Sequence, residues 1–200
     1  MTDTPHPRIR IVEERLLCDH WSTLKTTRFD YLRRDGTWQR LQRETYDRGN
    51  GAALLLFNAV RGTVVLTRQF RYPAFVNGCA DGMLLEACAG LLDGDDPHDC
   101  VRKEAQEETG YAVQTPRKVF EAYMSPGSVT EKLHFFVAEY DEAQRVGQGG
   151  GEHSEGEDIE VIEMPLAEAL ALIASGGIQD GKTIMLLQHA ALVGLAQLRG

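Results

Sequence analysis

Two hundred residues, 42% apolar and 26% charged, suffice for one folded domain with its own core, or for a domain carrying a small appendage. Thirty acids against 21 bases leave a net charge of −9, without the basic footprint of a nucleic-acid binder. The four cysteines, Cys18, Cys79, Cys88 and Cys100, form no C-x-x-C pair, so neither a zinc site nor a disulfide framework is indicated.

The N-terminal stretch lacks an apolar run behind a basic start, so no secretory leader is expected. Ile9 and Ile11 alternate with arginines, and Trp21–Leu32 and Thr37–Asp47 flank the turn Arg33-Arg34-Asp35-Gly36, a hairpin signal. The apolar runs Ala52–Phe57 and Thr63–Thr67, joined by Asn58–Gly62, predict strands covered on both faces. A helix is predicted from Pro97 to Thr109, with Asp96 as N-cap, Pro97 at its first position and Gly110 as its stop. Val119–Met124 and Leu133–Tyr140 read as strands, and the glycine-rich Arg145–Gly156 as a mobile loop. Asp158–Met164 reads as a short strand, Leu166–Ser175 as a helix with Gly176 behind it, and a last helix begins near Lys182. The apolar stretch Ile184–Leu198 is broken by Gln188, His189 and Gln197, so no membrane span is predicted and a cytoplasmic protein is expected. No long repeat occurs, and strands interleaved with helices imply a layered α/β domain behind a small antiparallel element.

The chemistry concentrates at the end of the helix from Pro97. At α-helical spacing Glu104, Glu107 and Glu108 share one face, where they repel one another unless a cation compensates. Such a run can be a solvated acidic face. Glutamates, however, are disfavoured at a helix C-terminus by the dipole, and oxygen ligands of this kind suit magnesium or manganese. His98, His134, His153 and His189 form no pair at ligand spacing and are assigned no role.

These residues resemble the Nudix box, in which a glycine and an acid precede R-E-U-x-E-E-x-G-U, U being a bulky apolar residue. Gly90, Glu104, Glu107, Glu108 and Gly110 match; Lys103 stands for the arginine and Tyr111 for the last apolar position. The preceding loop is one residue short, so the first acid is Asp95 or Asp96. Further segments resemble the ADP-ribose and nucleotide-sugar pyrophosphatase branch of that superfamily. They are Arg68-Gln69-Phe70-Arg71, Leu85–Gly90 (with Cys88 in place of a proline), Ser125-Pro126-Gly127 and Thr130-Glu131. Within the branch, Tyr46–Gly51, Gly149–Gly151, Glu157–Glu160 and Asp180–Thr183 are similar to the bacterial family that hydrolyses GDP-mannose.

The resemblance implies a Nudix α/β/α sandwich over 49–200, with a mixed sheet, preceded by an N-terminal β element over 1–48 that is swapped in a homodimer. It implies Mg2+-dependent hydrolysis of a nucleotide sugar, GDP-mannose to GMP and mannose 1-phosphate, with Mn2+ a possible substitute. The alternatives are an ADP-ribose pyrophosphatase and a non-catalytic nucleotide-binding module. By the same resemblance the metal ligands are Ala89 (through its carbonyl), Glu104, Glu108 and Glu157, with Glu108 and Glu157 catalytic. The substrate contacts it implies are Trp21, Gln42, Arg43, Glu44, Arg71, Ala89, Gly90, Leu91, Glu108, Glu131, Gly156, Glu157 and Lys182. Neither nucleic acid nor membrane is expected as a partner.

Overall fold

Asp35 accepts hydrogen bonds from the Thr37 amide and hydroxyl at 3.0 and 2.6 Å, and Gly36 takes a left-handed φ of +81°. This local chemistry closes the hairpin that the sequence predicts. The strands are β1 (Ile9–Asp19), β2 (Thr23–Leu32) and β3 (Trp38–Asp47), antiparallel in the order β1-β2-β3. Asp30 and Arg40 face each other across β2 and β3 in a bidentate pair at 2.8 and 2.9 Å. The segment Tyr123–Lys132, which carries Ser125-Pro126-Gly127, groups with this sheet. The Tyr46 amide donates to the Ser128 carbonyl at 2.8 Å, and the Thr130 amide to that of Tyr46 at 3.0 Å.

This computed structural model describes residues 6–199. Met1–Pro5 of the expected segment 1–48 and Gly200 of the expected segment 49–200 lie outside the described residues. The second compact unit comprises Gly51–Ala122 and the chain from Leu133 onward. Its elements are β4 (Gly51–Asn58), β5 (Thr63–Phe70), a short α1 (Tyr72–Val76), β6 (Met83–Glu86), β7 (Cys88–Leu91) and α2 (Pro97–Glu104). β8 (Arg117–Tyr123), β9 (Lys132–Glu139), β10 (Glu160–Pro165), α3 (Leu166–Ser175) and α4 (Gly181–Val193) complete it. The sheet runs β10-β5-β4-β9-β8, with β6 added to β5 and β7 to β4; β4 and β9 are parallel, and β4 and β5 antiparallel.

β4 is buried from Gly51 to Phe57, which explains its unbroken apolarity. Ala52, Leu54 and Leu56 pack with Cys100, Val101 and Ala105, so their neighbours Ala53, Leu55 and Phe57 face the opposite side. α2 lies against β4 and β7, and α4 against β4 and β6. The sequence reading passed over α1, β6 and β7, because elements of four or five residues are too short to show a period.

Two expectations need correction. The predicted helix Pro97–Thr109 is not α-helical throughout: α2 ends at Glu104, and Ala105–Thr109 winds as a π-turn that stops at Gly110, φ +79°. The Thr109 hydroxyl donates back to the Ala105 carbonyl, competing for the acceptor of a normal α-turn. In consequence Glu104, Glu107 and Glu108 do not share one face. Glu108 is buried, whereas Glu107 pairs with Lys103 at 3.5 Å.

The glycine-rich loop is also tied down over its first half. The amides of Val146 and Gly147 donate to the Gly110 carbonyl at 2.9 and 3.2 Å, that of Gly150 to Glu108 and that of Gly151 to Glu107, both at 3.0 Å. These acceptors are the orphan carbonyls of the helix end. A Cβ on Gly149 would overlap the Glu108 backbone, and φ there is +72°. Gly149 serves close backbone approach.

Candidate active site

The β4–β7 register sets Ala89 opposite Ala53 and Gly90 opposite Ala52, at the edge where the α2–π-turn segment crosses. The Glu104 carboxylate packs so tightly on Gly90 that a Cβ there would overlap it. The Glu108 carboxylate accepts from the Ala89 amide at 3.3 Å. Glu157 lies close enough to raise the pKa of Glu108, and its own carboxylate accepts from the Glu152 amide at 2.9 Å.

Burial pushes the Glu108 carboxyl up to about 8; Glu104 and Glu157 add to the shift, while the Cys88 thiol and Arg71 oppose it. Burial likewise pushes the Cys88 thiol up, with Glu108 and Glu104 reinforcing it. An almost fully buried carboxylate with two acids nearby fits a cation, and its donors are all oxygens. Among the described residues no three His, Cys, Asp or Glu side chains converge on one point, so an ion here would also need waters and substrate oxygens.

Arg71 lies near enough to Glu108 to oppose the rise in its pKa. Its Nε and Nη2 donate to the two oxygens of Glu86 at 2.7 and 2.9 Å, and Lys182 bonds to the same carboxylate. Burial raises the pKa of Glu86, but Arg71 and Lys182 outweigh it and hold the carboxyl at about 2. Glu86 escaped the sequence reading as a functional residue. The signal was present in Leu85–Gly90, whose glutamate precedes the glycine of the box.

The remaining residues fall as follows. Leu91 ends β7, and its carbonyl accepts from the Cys100 thiol at 3.4 Å. Gly156 takes a left-handed φ of +79° just before Glu157. Asp96 is the N-cap of α2, accepting from the His98 amide at 2.8 Å, which leaves Asp95 as the unpaired alternative for the first acid of the box.

In the N-terminal unit, Gln42, Arg43 and Glu44 line a shallow depression of about 420 Å³ with Gly127 and Ser128. Glu131 pairs with Arg48 at 3.5 Å. Trp21, in the β1–β2 turn, is 89% exposed. Among the described residues no helix is long and apolar enough to cross a membrane.

Comparison with known proteins adds to this geometry. Residues 8–46 match the family model described as GDP-mannose pyrophosphatase NudK N-terminal domain, and residues 47–187 match the NUDIX domain. A GDP-mannose pyrophosphatase of Pectobacterium atrosepticum is 60% identical over 93% of this chain and 95% of its own length. Proteins of the same name from Cronobacter sakazakii and Salmonella typhimurium are 53% and 54% identical, covering 94% and 90% of this chain and 97% and 94% of their own.

Proposed function

The chain belongs to the Nudix family, and from that premise we propose that it is a metal-dependent nucleotide-sugar pyrophosphatase converting GDP-mannose to GMP and mannose 1-phosphate. The observation that carries the reading is the buried Glu108 carboxylate, near Glu104, Glu157 and Arg71 and bonded to the Ala89 amide. The names of the relatives supply the substrate.

Magnesium, or manganese in its place, would be held by Glu104, Glu108, Glu157 and the Ala89 carbonyl, and would neutralise phosphoryl charge and acidify a water. Arg71 binds the diphosphate and orients it in line for attack. Glu157 orients the attacking water and takes its proton. Lys182 and Glu131 contact the distal phosphate and sugar, and Leu91, Gly90 and Gly156 line the path. Free thiols at Cys18, Cys79, Cys88 and Cys100 suit a cytoplasmic setting.

On this reading Glu157→Gln lowers kcat far more than it raises KM, because the carboxylate acts on the water. Steady-state assays over a full substrate range check it; a larger change in KM than in kcat reassigns Glu157 to ground-state binding.

Substrate choice is the direct test of the function. GDP-mannose and ADP-ribose share a diphosphate, so Arg71 and the acids cannot separate them; the base and the distal sugar must. Gln42, Arg43 and Glu44 provide donors and acceptors for a guanine edge, and Trp21 a ring for stacking. GDP-mannose is expected to have the higher kcat/KM in side-by-side assays. Faster cleavage of ADP-ribose moves the activity to the neighbouring branch.

We further propose a homodimer, in which the element over 1–48 crosses to a second copy of the domain over 49–200. Trp21, Arg43 and Glu44 of one subunit then serve the other's site. Support comes from the apolar side chains Ile11, Val12, Leu16 and Leu17, exposed along β1. Light scattering at assay concentration is expected to give twice the chain mass; a fully active monomer would refute the exchange.

A further inference from the structure

Beside the acidic cluster lies a second polar network, built on a single carboxylate. Glu86 ends β6 with its side chain 2% exposed, and it carries two cations. Arg71 arrives from the end of β5 and takes both oxygens at 2.7 and 2.9 Å; Lys182 arrives from the first turn of α4 and takes Oε2. Lys182 also reaches Asp180 at 3.1 Å. The same Asp180 oxygen accepts from the Thr183 amide and hydroxyl at 3.0 and 2.6 Å, capping α4. The Thr183 hydroxyl oxygen in turn accepts from the Ala87 amide at 2.6 Å. β6 is thereby pinned to the start of α4 from two directions.

Burying such a group is costly, and apolar residues of equal volume often serve stability as well. The geometry suggests what it serves instead. Arg71 Nη2 and Lys182 Nζ bind the same oxygen, so the two nitrogens lie within roughly 6 Å of each other. Two cations at that separation match oxygens on adjacent phosphates of one diphosphate. Glu86 occupies the Nε–Nη2 edge of the guanidinium and so fixes the plane in which its remaining donors lie. The Arg71 side chain is still 39% exposed, enough to meet a ligand.

We propose that Glu86 is a positioning residue, whose carboxylate holds Arg71 and Lys182 as one two-cation clamp for the substrate's diphosphate. This rests on the assignment of Arg71 and Lys182 to substrate in the function proposed above. The clamp joins groups on β5, β6 and α4, so each cation's place depends on the other two elements.

The test is steady-state kinetics on GDP-mannose with the full chain, alongside melting temperatures. Glu86→Asp keeps the charge but withdraws it by one methylene, and is expected to lower kcat/KM about 10²-fold with little change in melting temperature. Lys182→Met combined with Glu86→Asp is expected to lose much less than the product of the two single losses, since both act through one clamp. A purely structural role predicts a lower melting temperature with independent kinetic losses, and that result overturns the clamp. So does Glu86→Gln with a lower KM than wild type, which would make Glu86 a competitor that sequesters the cations. Where Glu86→Gln does not fold, Glu86→Asp decides. Arg71→Ala and Lys182→Met are the separate control: if both leave kcat/KM unchanged, the substrate assignment fails, whatever Glu86 does.

Discussion

Replacing Glu108 with glutamine is expected to lower kcat about 10³-fold while leaving the fold intact. The amide keeps the shape of the side chain and its place beside the Ala89 amide, but it removes the charge. Stability should move the opposite way. The carboxyl titrates at about 8 in the folded chain, mainly through burial, and in the ordinary carboxylate range once unfolded. Below that range the proton is bound in both states, and nothing is lost. As pH rises toward 8, the unfolded chain releases the proton while the folded chain retains it, so folding weakens across this window. In chelator, the melting temperature of the wild type should therefore fall from pH 5 to pH 8 relative to that of Glu108→Gln. Added magnesium should restore the wild type at pH 8 and raise the variant much less. Retention of most activity by Glu108→Gln at saturating magnesium would overturn the role given to this carboxylate.

Gly90→Ala is the second large effect, and it acts without touching any charge. A methyl group there would overlap the Glu104 side chain, whose Oε1, Cδ and Cγ are the three atoms nearest to it. The end of a flexible side chain gives way more readily than backbone, so the expected result is a displaced Glu104 in an intact fold. A shift of about 1 Å at such a group costs on the order of 10²-fold in kcat/KM. Melting temperature should stay level or rise slightly, because alanine narrows the unfolded ensemble and Gly90 is not in the left-handed region. Unchanged kinetics in Gly90→Ala would mean that the position of Glu104 is irrelevant to turnover.

Much of this was legible in the sequence, for reasons that differ from element to element. β4 and β5 announce themselves by unbroken apolarity, and α2 by Asp96-Pro97. Glu104 and Glu108 could be paired by spacing. Their true relation could not, because a single π-turn leaves no periodic trace and depends on a hydroxyl at Thr109 returning to Ala105. Glu86 was hidden for a different reason. A buried acid acquires meaning from the cations that reach it, and here they come from 15 residues before and 96 residues after. Glycine itself was ambiguous: the run near Gly149 could signal either looseness or contact, and the structure uses it for contact.

That contact bears on how the chain can vary over evolutionary time. A polar, glycine-rich stretch is ordinarily where a protein accepts an insertion. Between Val146 and Gly151, however, four amides donate to three carbonyls, two of them to Gly110 and one each to Glu108 and Glu107. One added residue would put that series out of step and carry Glu157 with it. Length should therefore be held constant there and drift only in the exposed stretch around 152–154, which makes none of these four bonds.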